Sequence, residues 1–166
     1  MTPRILVACV GNVFLGDDGF GVQAARALAA ADLPDGVNVV DYGIRGLDLA
    51  YAMLDPWQAV VLVDTVSRGE PPGTLYLLQP GELKFEQSGL DPHSMDPVRV
   101  LNMARSLGEV SAEVYIVGCE PKDFGDEVEG RMGLSAEVES AIPEAVRMVR
   151  ELAIALRCAV GERVAG

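Results

Sequence analysis

Six consecutive apolar residues, Ile5-Leu6-Val7-Ala8-Cys9-Val10, stop at Gly11-Asn12. So unbroken a run predicts a strand buried on both faces, at the centre of a sheet. Val22, Ala25, Leu28 and Ala29 then recur at helical spacing up to Pro34-Asp35-Gly36, which predicts a helix over about residues 19 to 31. Val37-Asn38-Val39-Val40-Asp41 gives a second strand. Leu47, Leu49, Ala50, Met53 and Leu54 mark a short helix that ends before Pro56, because a residue preceding proline is driven out of the helical region. The third strand, Ala59-Val60-Val61-Leu62-Val63, is the most apolar and runs directly into Asp64.

The link from there to Thr74-Leu75-Tyr76-Leu77-Leu78 is rich in glycine and proline and spans only about ten residues, whereas a parallel crossover needs a dozen or more. The fourth strand is therefore expected to run antiparallel. Residues 80 to 93 read as loop, and Pro97, Val100, Leu101 and Ala104 mark a helix with Asp96 as its cap and Pro97 in its first turn. His93 then falls just before that helix. Glu113 to Cys119 is a fifth strand, followed by an acidic loop through Gly133. Ser135 is placed to cap a long last helix with Glu137 and Glu139 in its first turn. Pro143 predicts a kink or a split in it, and residues 161–166 read as a tail. The alternation predicts one α/β domain over residues 1–160, a three-layer sandwich on a mostly parallel, mixed five-stranded sheet.

Composition narrows the possibilities. A chain of 166 residues that is 49% apolar can bury a core without staples. Cys9, Cys119 and Cys158 are odd in number and far apart, so neither a disulfide framework nor a structural zinc cluster is expected. A net charge of −12 with scattered basic residues excludes phosphate-backbone binding, which requires clustered Lys and Arg. The N-terminal apolar run is too short for a signal peptide, and no stretch is long enough to span a bilayer. The expectation is a cytoplasmic protein with neither nucleic acid nor membrane as partner.

Ligands of parallel sheets bind beyond the carboxyl ends of the strands. The Asp17-Asp18 turn follows the first strand and Asp64 closes the third, so neighbouring parallel strands would bring both acids to one edge. Gly11, Gly16, Gly19 and Gly21 invite a dinucleotide reading, but Gly-x-Gly-x-x-Gly is absent, and two carboxylates stand where a pyrophosphate would have to sit. Asp17 or Asp18 can cap the following helix, which leaves the other acid over, ionised by its place at a helix start. A carboxylate half-buried at a strand end, as Asp64 is expected to be, needs a partner, although a loop backbone can supply one. His93 is the chain's single imidazole and can be a capped loop residue or a ligand. Together, Asp18, Asp64 and His93 offer two oxygens and one nitrogen, a set compatible with nickel, zinc or iron(II) with positions left open. Such a set suits completing the shell of a metal delivered by something else. The absence of Gly-x-Ser-x-Gly argues against a serine hydrolase.

These segments resemble the hydrogenase maturation proteases. Gly11-Asn12-Val13-Phe14-Leu15-Gly16-Asp17-Asp18-Gly19 is similar to the family's N-terminal signature, and Asp64 and His93 fall where it places further metal ligands. Asp41-Tyr42-Gly43-Ile44-Arg45-Gly46 resembles its precursor-recognition loop, with Ile44-Arg45 where some members have small and hydroxyl residues. Gly118-Cys119-Glu120-Pro121 is similar to a late motif, and Cys9 stands where a glycine is usual. The resemblance implies a phosphorylase/hydrolase-like fold and an endopeptidase that trims the C-terminal extension from the precursor of a nickel–iron hydrogenase large subunit. By it, Asp18, Asp64 and His93 are catalytic and metal-reading, Asp41, Gly43 and Gly46 bind substrate, and Gly11, Asn12, Asp17 and Gly19 shape the loop. Nickel would arrive with the substrate, zinc or cadmium could stand in for it, and the protein would act as a monomer. Hydrolysis by metal-activated water and hydrolysis by a carboxylate base both fit, and a non-catalytic chaperone of the same subunit is the alternative.

Overall fold

Strand β1, Ile5–Val10, is buried along its whole length, as its uninterrupted apolar run requires. The computed structural model describes residues 4–83, 96–125 and 130–165, the last six by backbone alone. β2, Val37–Gly43, and β3, Ala59–Thr65, flank β1 and run parallel to it, with Ile5 opposite both Val37 and Ala59. β4, Leu75–Leu78, lies at the far edge, antiparallel to β5, Glu113–Cys119, which is itself parallel to β3. The order is β2-β1-β3-β5-β4. The antiparallel edge strand is the one that the short connection after β3 dictates.

Alternation along the strands sends successive side chains to opposite faces and builds two cores. Ile5, Val7, Cys9, Val61 and Val63 meet Phe20 and Leu28 of α1, Phe20–Ala29, and Val138, Ala145 and Val149 of a long helix, Ala136–Ala165. Leu6, Ala8, Val10, Val60 and Leu62 meet Leu49 of α2, Gly46–Ala52, and Val100 and Leu101 of α3, Pro97–Leu107. With the long helix as α4, the layers are α1 and α4, the sheet, then α2 and α3.

Several local expectations change. α4 is neither split nor ended at Pro143. Val138, Ala141, Ala145, Val149 and Ala153 are buried on one face, while Pro143 and Glu139 lie on the exposed side, so the missing N–H falls on the wet side of the helix. The helix also continues to Ala165, through most of the segment read as a tail. Asp96 caps α3 as expected, its Oδ1 accepting the Val98 N–H at 2.8 Å. Neither Asp17 nor Asp18 caps α1, whose start has no side-chain cap and follows a 3-10 turn, Gly16–Gly19.

Candidate active site

β1 and β3 are neighbours and parallel, so the rim beyond their carboxyl ends is shared. Asp64 is the penultimate residue of β3 and is 1% exposed. It has the same parity as Val60 and Leu62, which face α2 and α3. Across the rim, the 3-10 turn and α1 sit directly on the strand ends. A Cβ at Gly21 would fall 2.0 Å from the Val10 carbonyl oxygen and 2.8 Å from that of Val63, a spacing only glycine permits. Asp18, on the preceding turn, is buried, and its Oδ2 accepts the Asn12 N–H at 3.0 Å. Gly11 lets that loop close. A Cβ there would meet the Asp18 carbonyl oxygen at 2.0 Å, in a backbone at φ 156°.

The two acids are near enough to influence each other's charge. Burial, first, and then the neighbouring Asp18 carboxylate push the Asp64 proton affinity well above the usual carboxylate range. The Thr65 N–H, donating to Asp64 Oδ1 at 2.7 Å, pulls the other way. Asp96 adds a smaller upward push, which places the start of α3 at this rim. His93 lies outside the described residues. Among the described residues, no three His, Cys, Asp or Glu side chains gather into a metal cluster, so Asp18 and Asp64 are the part of the expected triad that the structure brings together.

Two further buried carboxylates stand at the same rim with different work to do. Asp17 is 0% exposed. Its Oδ2 accepts the Lys122 N–H (2.8 Å), the Asp123 N–H (3.2 Å) and the Ser135 hydroxyl (2.9 Å), and its Oδ1 accepts the Ser135 N–H (2.7 Å). Burial alone would raise its pKa. The bonds from Ser135, Lys122 and Asp123 outweigh that and hold it below the ordinary value. Ser135 precedes α4 and its carbonyl accepts the Glu139 N–H, but its hydroxyl serves Asp17 and not the helix end. Glu120, beyond β5, accepts the Arg68 and Glu70 N–H groups (2.8 and 2.9 Å) and the Tyr76 hydroxyl (2.8 Å). Asp17 and Glu120 thus pin loops; the resemblance implies a loop-shaping role for Asp17, but the sequence reveals neither its distant partners nor the pinning role of Glu120. For Asp17 the local signal was an acid beside another acid.

The loop after β2 joins the site through its backbone. Gly43, at φ 52°, donates its N–H to Asp41 Oδ1 (2.8 Å), and its carbonyl accepts the Gly11 N–H (3.0 Å). The Arg45 guanidinium donates to the Asp41 carbonyl at 2.7 Å, and Gly46 opens α2. The turn so fixed leaves Ile44 63% and Leu47 55% exposed.

The chain is similar to known proteins over most of its length. A family model described as HycI, hydrogenase maturation protease, matches residues 22–152. The hydrogenase 2 maturation protease of Escherichia coli is 32% identical over 148 residues, 88% of this chain and 88% of that protein. The hydrogenase expression/formation protein HupD of Rhizobium leguminosarum bv. viciae is 32% identical over 161 residues, 93% of this chain and 78% of that protein. The structure of the hydrogenase maturating endopeptidase HybD from E. coli matches with a TM-score of 0.72 at 30% identity, covering 88% of this chain and 89% of that one.

Proposed function

Because this chain belongs to the hydrogenase maturation protease family, and is a hydrolase on that ground, we propose that it removes the C-terminal extension from the precursor of a nickel–iron hydrogenase large subunit. In this reading the nickel seated in the precursor is what the enzyme recognises. The observation that carries it is the convergence of Asp18 and Asp64, two buried carboxylates whose mutual repulsion raises the proton affinity of Asp64 and would be relieved by a shared cation. His93 is proposed as the third donor. It precedes Asp96, whose charge Asp64 feels, by three residues, and so small a separation spans at most about 10 Å. Two oxygens and a nitrogen fit nickel, with zinc or cadmium as stand-ins.

Holding the precursor's nickel fixes the scissile bond beside the acids, and such positioning can lower a barrier by roughly 7–11 kcal/mol in the best cases. The water that cuts can be activated by the metal or by a carboxylate. In the second case Asp64, at the end of β3, is the candidate to take the proton. Asp41, Gly43 and Gly46 would hold the precursor from the α2 side, and the enzyme would work as a cytoplasmic monomer. A non-catalytic chaperone is the weaker reading, because the two E. coli proteins above are named a protease and an endopeptidase. Incubation of nickel-loaded precursor with the enzyme should lower the precursor's mass by that of the extension. Asp18→Asn, Asp64→Asn and His93→Ala should fold and cut at least about 100-fold more slowly. Full cleavage by Asp64→Asn and His93→Ala defeats the assignment.

A further inference from the structure

Exposed apolar side chains crowd the α1/α4 side of the rim: Phe14 is 61% exposed, Met132 70% and Phe124 39%. They are held on a rigid backbone. The Arg131 N–H donates to the Phe14 carbonyl (2.9 Å) and the Gly16 N–H to the Arg131 carbonyl (2.8 Å), while Leu15 and Arg131 form a parallel bridge. These segments make a short ribbon, and a Cβ at Gly130 would stand 2.7 Å from the Phe14 carbonyl oxygen, so its two sides are in close contact. Asp17 clamps it, since the four bonds to Lys122, Asp123 and Ser135 tie the turn that follows Phe14 to both sides of Met132's segment. A buried charge thus keeps two large apolar side chains in water, an arrangement that marks an interaction surface. Methionine suits such a surface because it adapts to what covers it.

We infer that Phe14 and Met132 form a docking strip for an extended apolar stretch of the precursor beside its scissile bond. The inference rests on the protease reading above. Continuity with the acids identifies the occupant: the Asp18 N–H donates to the Leu15 carbonyl at 3.0 Å, so the ribbon and the acid share one turn. A polypeptide that leaves Asp18 along this turn would reach the strip. The exposed side chains of the strip are themselves apolar, which points to an apolar occupant, and two of the nearby cations are paired within the chain, Lys122 with Glu137 (3.0 Å) and Arg131 with Asp123. The strip is separate from the loop carrying Ile44 and Leu47, which leads into α2 on the opposite layer.

The test is the steady-state cleavage of nickel-loaded precursor by the Phe14→Ser/Met132→Ser double variant, with binding to immobilised precursor measured in parallel. Both side chains are exposed, so Tm should stay at the wild-type value. KM and the dissociation constant should rise at least about 10-fold with kcat within twofold, and Phe14→Leu/Met132→Leu should restore both. An unchanged KM and affinity, or a loss confined to kcat, overturns the strip. Asp64→Asn in the same assay separates the two ideas. If it is inactive while the strip variant behaves as wild type, only the strip falls. If it cuts fully, the catalytic assignment falls, and the binding arm still decides the strip.

Discussion

Asp64 sits where its charge is least welcome. An unfolded Asp titrates near 3.8, and in the folded protein burial and the Asp18 charge move that value well upward. Between the two values the native state holds a proton that the unfolded chain has released, so stability falls as pH rises through the interval. Once pH exceeds the folded value the native protein carries the full cost. Asp64→Asn should therefore raise Tm at pH 7, by a few degrees if the gain is about 1 kcal/mol, and by less near pH 4, while abolishing cleavage. Thermal melts at the two pH values check this, and a lower Tm at pH 7 would contradict it. The thiols give a second test. Burial, reinforced by Asp41 and Asp64 for Cys9 and by Asp17 and Glu120 for Cys119, pushes both up to about 12, whereas Cys158 is exposed. A maleimide at pH 8 should label Cys158 alone in the native protein and all three cysteines after denaturation, as mass spectrometry will count.

At the scale of elements, the Asp17 bonds hold the turn after β1 to the segments that lead into α4. Its lowered pKa has the opposite sign from that of Asp64: the stability it confers is complete above the ordinary value of 3.8 and is lost as pH falls through the folded value. Asp17→Ala should cost about 3 kcal/mol or more at pH 7, because it strands buried donors. Acid unfolding of that variant should show a shallower loss below about pH 4 than wild type. Gly21→Ala should cost on the order of 3 kcal/mol by forcing α1 off the strand ends. Chemical denaturation measures both. The strands were legible because β1 and β3 are buried on both faces and so are apolar at every position, and the antiparallel edge followed from a loop too short to cross over. The Asp17 clamp was not legible, because its partners lie 105 to 118 residues away and neighbouring residues carry no sign of them. Pro143 does not split α4 for a related reason, since the burial of one face carries the helix past it, a fact of tertiary packing.

For the whole molecule, the four acids that are buried among the described residues, Asp17, Asp18, Asp64 and Glu120, gather at one rim and divide their duties. Asp17 and Glu120 are saturated by loop donors, and Asp18 and Asp64 face each other across the ends of β1 and β3. Metal-dependent docking would make such a rim selective, because affinity then requires a client that already carries its ion. No helix among the described residues is long and apolar enough to cross a membrane. The sequence made the meeting of the two acids legible through one condition, adjacent parallel strands, which the sheet satisfies. It left the loop anchors around them unseen. The most direct measurement is the affinity of the enzyme for nickel-loaded and nickel-free precursor, compared between wild type, Asp64→Asn and His93→Ala. Wild type should bind the loaded form at least about 10-fold more tightly and the variants should bind both forms alike, whereas equal affinity of wild type for the two forms would contradict nickel recognition by these residues.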